Sequence, residues 1–581
     1  MVPMPVEPRK EIPLRTMRKN RWELVAIAVF FGVGIFLRTY HFSDWLHFEI
    51  DQAFDYELVS PAVDHGIGNL PLLGPNVGGG MLRLGPAFYY MEYASAIVFG
   101  NTPTGHAMNI LLLSILALPL FYLFCRRYFP TIQSIGLLAI FSVSLYLVMY
   151  SRFSWSPNVL PFLVLLSFYA LLRGVSPRER HPARWFLVAV AMVAVTSQIH
   201  FNSFFVIPII AIIFTAINRP RFRWKVWLAT LGIVFLVYSP AILNDVKTNR
   251  ENLHYLKEKF VKTSPGSFIM PDTLVQTVEY GAYEFFFINT ANDQINGIKL
   301  KDYGFEPGVY GDGFGLKILA LALSVFGSVV LIIRTFRETD ADRKNFLILI
   351  SLWLAVSFYL IYSIADGYRM YPRFFLLLSP LAILLYGFIL ELFGPEKSRL
   401  RLVAFSIVIL ALVGLNLRAI APAFATLRNT APMTESADIE TGDIFPNTNR
   451  ITLSQEQGIV DYIVSKHDEN GYPVYLDAKS EYEPAFWALL ERRGIGYSDE
   501  VGDSSLYTEG NYFDIRFSDD SFDPGSDFTV LETRPFGTLT VTRFQPLETV
   551  VIGTRQSDTD RKRSVVMSDI SKLLTWDSLF K

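Results

Sequence analysis

The chain has 581 residues, 51% hydrophobic, 15% aromatic and only 18% charged, with a mean hydropathy of +0.31; soluble domains carry about a quarter charged residues, so lipid is expected to solvate much of it. The formal net charge of -2 offers no general attraction for nucleic acid, and the basic residues fall in short connections between apolar runs, so DNA and RNA are excluded as partners. A single cysteine, Cys125, excludes an intrachain disulfide and a cysteine-based zinc site.

Residues 1–21 carry Arg9, Lys10, Arg15, Arg18, Lys19 and Arg21 ahead of a first apolar run from Trp22 to Tyr40. That run is about the length needed to cross the hydrocarbon core. No small-residue cleavage site clearly follows it, so it reads as a retained anchor, and the basic flank places the N-terminus in the cytoplasm. The next segment, 41–105, is then a first external loop. It holds Asp44, Glu49, Asp51, Asp55, Glu57 and Asp64, and a glycine-rich stretch from Leu73 to Gly80. The spacing predicts a helix from Asp51 onward, with Asp51 and Asp55 at i and i+4 on one face and Glu49 just before it. A carboxylate partly desolvated at the membrane edge acquires the raised pKa of a general base. For Asp44, Glu57 and Asp64 a solvated loop is the simpler reading.

Apolar runs recur at Ala107–Cys125, Thr131–Tyr150, Asn158–Arg173, Trp185–Phe201, Ser203–Ile217, Val226–Leu243, Phe314–Ile333, Phe346–Ile364, Phe374–Phe393 and Leu402–Ile420, about eleven spans with the first. The shorter run Pro86 to Gly100 is expected to lie in the interface. If it crossed, the basic connections at Arg126-Arg127, 173–184, 219–225, 334–344 and 397–401 would all be external, inverting the positive-inside rule. The connections Ser151–Pro157, His200–Asn202, 244–313 and Ala365–Arg373 then lie outside. From Ala421 the composition turns soluble. The amphipathic stretch Ser454–His467, the strand-like Pro473–Leu476, the helix-like Pro484–Arg493 and the alternation in 528–533 and 538–543 predict a small extracytoplasmic α/β domain over 421–547. The tail 548–581, with Arg561-Lys562-Arg563, reads as loosely ordered.

Several short motifs resemble the lipid-linked glycosyltransferases of the C superfamily, in particular bacterial relatives of the protein O-mannosyltransferases and of the aminoarabinose transferase. They are Phe48-Glu-Ile-Asp51-Gln52; Leu72-Leu-Gly74-Pro75 with Gly79-Gly80 and Leu84-Gly85-Pro86-Ala-Phe-Tyr89-Tyr90; Ser151-Arg152-Phe-Ser-Trp155-Ser-Pro157-Asn158; Gln198-Ile-His200; and Tyr371-Pro-Arg373-Phe-Phe with Pro380. The order Trp155-Ser-Pro157-Asn158 departs from a Trp-Asn-Pro pattern. The resemblance covers roughly the first 420 residues.

The resemblance implies a polytopic α-helical enzyme of the bacterial plasma membrane, with a transmembrane module over 22–420. Its reaction would move a hexosyl or pentosyl group from a polyprenyl monophosphate carrier to an acceptor hydroxyl on the extracytoplasmic face, with inversion. The acceptor is left open among glycan, lipid and protein. On that reading Asp51 is the catalytic base, with Glu49 orienting the acceptor or stabilising positive charge on the sugar. The leaving phosphate needs fixed cations, and Arg152, Arg369 and Arg373 stand in otherwise non-basic short external connections. Gln52, Tyr89, His200 and Tyr371 are candidates for contact with substrate, although Tyr89 and Tyr90 also suit an interfacial aromatic belt. No cofactor is required. A divalent cation between Glu49 and Asp51 is admitted, but no His or Cys cluster supports a dedicated metal site.

Two other classes compete. A secondary transporter or flippase shares the many spans, but typically carries internal repeats and charges near the midplane. A scaffold or receptor leaves the grouping of Glu49, Asp51, Arg152 and Arg373 unexplained.

Overall fold

The computed structural model describes residues 21–77, 80–262, 271–292, 314–365, 372–392, 399–430, 451–480, 482–498, 506–518, 525–555 and 573–579. Helix α1 (Arg21–Thr39) is followed by α2 (Ile50–His65) and α3 (Ala87–Phe99), both lying in the first connection. Then come α4 (Pro103–Tyr128), α5 (Thr131–Val143), α6 (Leu145–Tyr150), α7 (Leu160–Val175), α8 (Pro182–Thr196), α9 (Phe201–Asn218) and α10 (Trp224–Lys247). The bundle is completed by α11 (Glu251–Lys262), α12 (Pro271–Thr290), α13 (Phe314–Arg337), α14 (Ala341–Ala365), α15 (Ser379–Leu392) and α16 (Arg399–Asn429). Among the described residues nine helices are long and apolar enough to cross a membrane, while α5 and α8 are apolar but shorter. Together these correspond to the eleven apolar runs of the sequence. Helix α3 has 13 residues, so at 1.5 Å per residue it is about 20 Å long, well short of a core about 30 Å thick.

With no water in lipid to satisfy a broken helix, interruptions must be repaired by side chains. Between α5 and α6 the Ser144 hydroxyl donates to the Ile288 carbonyl at 2.7 Å, and the Leu145 amide donates to Asn416 Oδ1 at 2.9 Å. Asn416 in turn donates to the Asn289 carbonyl at 2.8 Å. These bonds draw α12 into the bundle, where Phe285, Phe287 and Ile288 are buried. The long connection 244–313, expected as an external loop, therefore contributes a packed helix. Gln276, Glu279 and Glu284 interrupt its apolar run, which is why its hydropathy alone does not mark it. Close crossings rest on small residues. A Cβ on Gly34 of α1 would lie 3.0 Å from Leu118 and 3.1 Å from Ser142.

The two ends of the bundle differ in charge. The connections after α4, α7 and α13 meet at one end, where Arg127 and Arg178 approach Asp342 at 3.9 and 3.3 Å and Arg178 also pairs with Asp340. The segment 41–105 lies at the other end. Against it sits a small α/β unit made of α17 (Leu453–Asn470), β1 (Val474–Ala478), α18 (Glu483–Arg492), β2 (Tyr497–Ser498), β3 (Asn511–Phe517), β4 (Phe528–Phe536) and β5 (Leu539–Pro546). The sheet order is β2-β1-β3-β5-β4, with β1 parallel to both neighbours and the β3, β5 and β4 pairings antiparallel. Gly537, at φ 64 in the β4–β5 turn, lies where a Cβ would come within 2.4 Å of the Thr430 carbonyl, so both the turn and the join to α16 require glycine.

This unit is tied to the first loop. The Leu453 and Ser454 amides donate to the Leu46 and Asp44 carbonyls at 2.8 and 3.2 Å, and Arg492 pairs with Asp64 at 2.5 Å. The expectation of a loosely ordered tail after 547 is corrected for residues 573–579. They form an antiparallel bridge, Pro71↔Thr575, with the first loop. Low apolar periodicity misread a segment whose order comes from pairing with residues some 500 positions earlier in the chain.

Candidate active site

Helix α2 begins where it does because Glu49-Ile50-Asp51-Gln52 forms a capping box. The Glu49 amide donates to Gln52 Oε1 at 3.1 Å, while the Glu49 carboxylate accepts the Gln52 amide. This satisfies donors that every helix start leaves over. Glu49 and Gln52 are both buried. Asp51, between them, is turned outward and accessible, but it lies in a recess walled by protein on most sides.

Three residues from separate parts of the chain converge on Asp51. Trp155, in the loop before α7, hydrogen-bonds to its carboxylate, and the positive charge of Arg373 acts on it. Burial outweighs both, holding the carboxyl above the usual carboxylate range. Arg373 belongs to the 3₁₀ turn Pro372–Leu378, and its guanidinium lies 5.0 Å from the centroid of the Trp155 ring. One indole thus binds the anion through its edge and the cation through its face. His200, the N-cap of α9, accepts the Asn202 amide on Nδ1 at 3.3 Å, and its ring lies 5.8 Å from that of Phe374. Burial, assisted by the Arg373 charge, lowers its pKa to about 3, so it is neutral with the proton on Nε2.

Behind Asp51 lies a second layer of acids. Asp55, one turn along α2, is hydrogen-bonded to Tyr89 of α3, and burial together with the charges of Glu92 and Asp51 raises its pKa well above normal. Glu92 accepts the Ser154 hydroxyl, and burial lifts its pKa to about 8, so it is mostly protonated at neutral pH. Arg83 faces the Asp55–Tyr89 pair from a tight hairpin in which the Gly74 amide donates to the Leu84 carbonyl at 2.8 Å. A Cβ on Gly74 would stand 2.1 Å from the Gly85 carbonyl, and one on Gly85 would collide with Gln198. Gly74 of the glycine-rich stretch and Gly85 beyond it thus serve close packing. Gly78 and Gly79 lie outside the described residues.

The structure brings Asp51, Arg373 and His200 together and gives other tasks to several expected site residues. Tyr89 is buried behind Asp55. Arg152, expected to meet phosphate, has its Nη atoms on the carbonyls of Leu37, Arg38, Tyr40 and His41 at 2.7–3.2 Å, closing the C-terminal end of α1. Leu37 and Arg38 are among the last four residues of α1, whose carbonyls a helix end leaves without intrahelical donors, and Tyr40 and His41 follow directly after it. Arg369 and Tyr371 lie outside the described residues. Two members of the group were not picked out from the sequence. Trp155 gives no signal of its own beyond its motif. Glu92 does, as the only acid in the apolar helix α3, a pattern that marks function at a membrane edge. Among the described residues no group of three His, Cys, Asp or Glu side chains is set to hold a metal.

Fold and site together define a polytopic membrane protein with a carboxylate–arginine site at one end of its bundle, beside a small α/β unit. Within that class, residues 84–243 match the family described as dolichyl-phosphate-mannose-protein mannosyltransferase, which supports the resemblance drawn from the motifs over that stretch. No curated protein matches the chain significantly. Among solved structures, it is similar to ArnT from Cupriavidus metallidurans in the apo state, at 11% identity over 91% of this chain and 98% of that one, TM-score 0.49. The same protein bound to undecaprenyl phosphate aligns at 13% identity over 91% and 99%, TM-score 0.49. The Archaeoglobus fulgidus oligosaccharyltransferase in the apo form aligns at 12% identity over 86% and 70%, TM-score 0.49.

Proposed function

We propose that this protein transfers a hexosyl or pentosyl group from a polyprenyl monophosphate to an acceptor hydroxyl on the extracytoplasmic face, with inversion. The observation that carries this reading is the pairing of an accessible carboxylate, Asp51, with a fixed guanidinium, Arg373, across the Trp155 indole. A glycosyl phosphate needs one group to take a proton where the acceptor attacks and another to hold charge where the phosphate leaves. The match of residues 84–243 to a family described by a dolichyl-phosphate-sugar donor favours the same chemistry.

The acceptor hydroxyl gives its proton to Asp51 as its oxygen bonds to the anomeric carbon from the face opposite the phosphate. The bond from the anomeric carbon to the phosphate oxygen breaks, and its electron pair leaves with the polyprenyl phosphate. Arg373 meets that charge with a planar fork suited to phosphate oxygens. His200, neutral and bearing hydrogen on Nε2, is placed to donate a hydrogen bond to sugar or phosphate without adding charge. The test is transfer in purified protein from synthetic polyprenyl-phosphate sugars, with the anomeric configuration of the product determined. A retained configuration would remove the single-displacement mechanism.

A further inference from the structure

The segment 573–579 is fastened to the first loop along its length. The Leu72 amide donates to the Leu574 carbonyl at 2.9 Å, and the Trp576 amide donates to the Leu70 carbonyl at 3.2 Å, on either side of the Pro71↔Thr575 bridge. The Trp576 indole donates to the Tyr90 hydroxyl at 2.8 Å, and that hydroxyl donates onward to the Pro71 carbonyl at 3.2 Å. Two residues before this stretch of loop, the absence of a side chain at Gly68 leaves the space that Asp577 fills, since a Cβ there would stand 2.0 Å from Asp577 Oδ1. Backbone pairing, a hydrogen-bonded indole and a matched glycine thus select the same docked position.

Tyr90 is not an isolated anchor point. It sits on α3, whose preceding residue Tyr89 bonds to Asp55 and whose Glu92, about half a turn further on, accepts Ser154, the neighbour of Trp155. Helix α3 has only 13 residues, so a hold at Tyr90 fixes its rotation and hence both acid contacts. We propose that residues 573–579 form a strap whose Trp576, through Tyr90, is a positioning residue for transfer, holding α3 so that its Tyr89 and Glu92 support the Asp51–Trp155 pair. The strap rests on the transfer reading for its rate effect alone. Its hold on α3 is independent of which reaction the site performs.

The test uses the full chain. Trp576→Ala should lower kcat about tenfold while leaving the KM for the polyprenyl-phosphate donor near wild type, because Arg373 stands on a different element. Amide exchange in 87–99 should quicken in the same variant. Tyr90→Phe should give a like effect, and the double variant Tyr90→Phe with Trp576→Phe should be no worse than Tyr90→Phe alone, since Tyr90→Phe already removes the indole bond together with the bond to the Pro71 carbonyl. Gly68→Leu fills the space of Asp577 and alters neither Tyr90 nor Trp576 itself, so it should reproduce Trp576→Ala even if that variant is poorly made. Unchanged exchange in 87–99 with unchanged kcat in both Trp576→Ala and Gly68→Leu overturns the strap. Faster exchange in a protein that transfers no polyprenyl-linked sugar supports the strap and removes the proposed reaction.

Discussion

Glu456 of α17 and Glu49 of the first loop lie close enough across the seam between bundle and α/β unit for the charge of one to disfavour that of the other, and Glu456 is fully buried with neither carboxylate oxygen hydrogen-bonded. Burial, reinforced by Glu49, raises the Glu456 pKa well above normal. Two carboxylates in one dry place cannot both ionise cheaply, so Glu456 keeps its proton when the unit is docked. In the unfolded chain it ionises near the usual value. Below that value both states are protonated and there is no penalty. As pH rises beyond it the unfolded state is favoured, until the folded pKa is reached. Glu456→Gln should therefore raise the melting temperature at pH 8 and leave it unchanged near pH 4, read by thermal unfolding in detergent. Equal melting temperatures at pH 8 would show that docking does not raise the Glu456 pKa.

Asp51→Asn preserves shape and can still bond to Trp155 but cannot take a proton. Turnover should fall by about 100-fold or more, with donor affinity little changed. A raised acceptor KM with maximal rate intact would instead make Asp51 a binding residue.

The Trp155 bond to Asp51 lowers the carboxyl pKa, opposing burial. Removing it in Trp155→Phe lets that pKa rise. Because the base must be ionised to act, the acidic limb of the kcat/KM profile should move to higher pH. A limb that stays in place would mean that another group sets it.

Arg373→Lys keeps a positive charge but loses the planar fork, so donor binding should weaken by about tenfold, and Arg373→Ala should weaken it further. Equilibrium binding of polyprenyl phosphate would show this, and wild-type affinity in Arg373→Ala would require a different phosphate holder.

Arg152→Met should act on stability, not on the donor. It strips the α1 carbonyls of charge-assisted bonds worth about 1.5–3 kcal/mol each at most, and leaves Arg373 untouched. Lower folded yield with normal donor affinity is the expected pair of results. Full yield with lost donor binding would return Arg152 to the phosphate.

The eleven apolar runs, the helix starting near Asp51 and the α/β character after residue 421 were all legible in the chain, because each follows from local periodicity or from the cost of burying charge in lipid. The same logic marked Asp51 and Arg373 as charged groups set where lipid does not favour them. What the sequence could not disclose is which partners these groups would meet. Trp155, His200 and Arg373 lie far apart along the chain, and only the packing of α7, α9 and the turn before α15 brings them to one recess. Tertiary structure alone also decided that Arg152 closes α1, that α12 joins the bundle and that Trp576 returns to Tyr90. In each case a side chain or backbone group is satisfied by a partner distant in sequence. Local pattern tells where a polar group must find a partner, and the folded chain determines which one it finds.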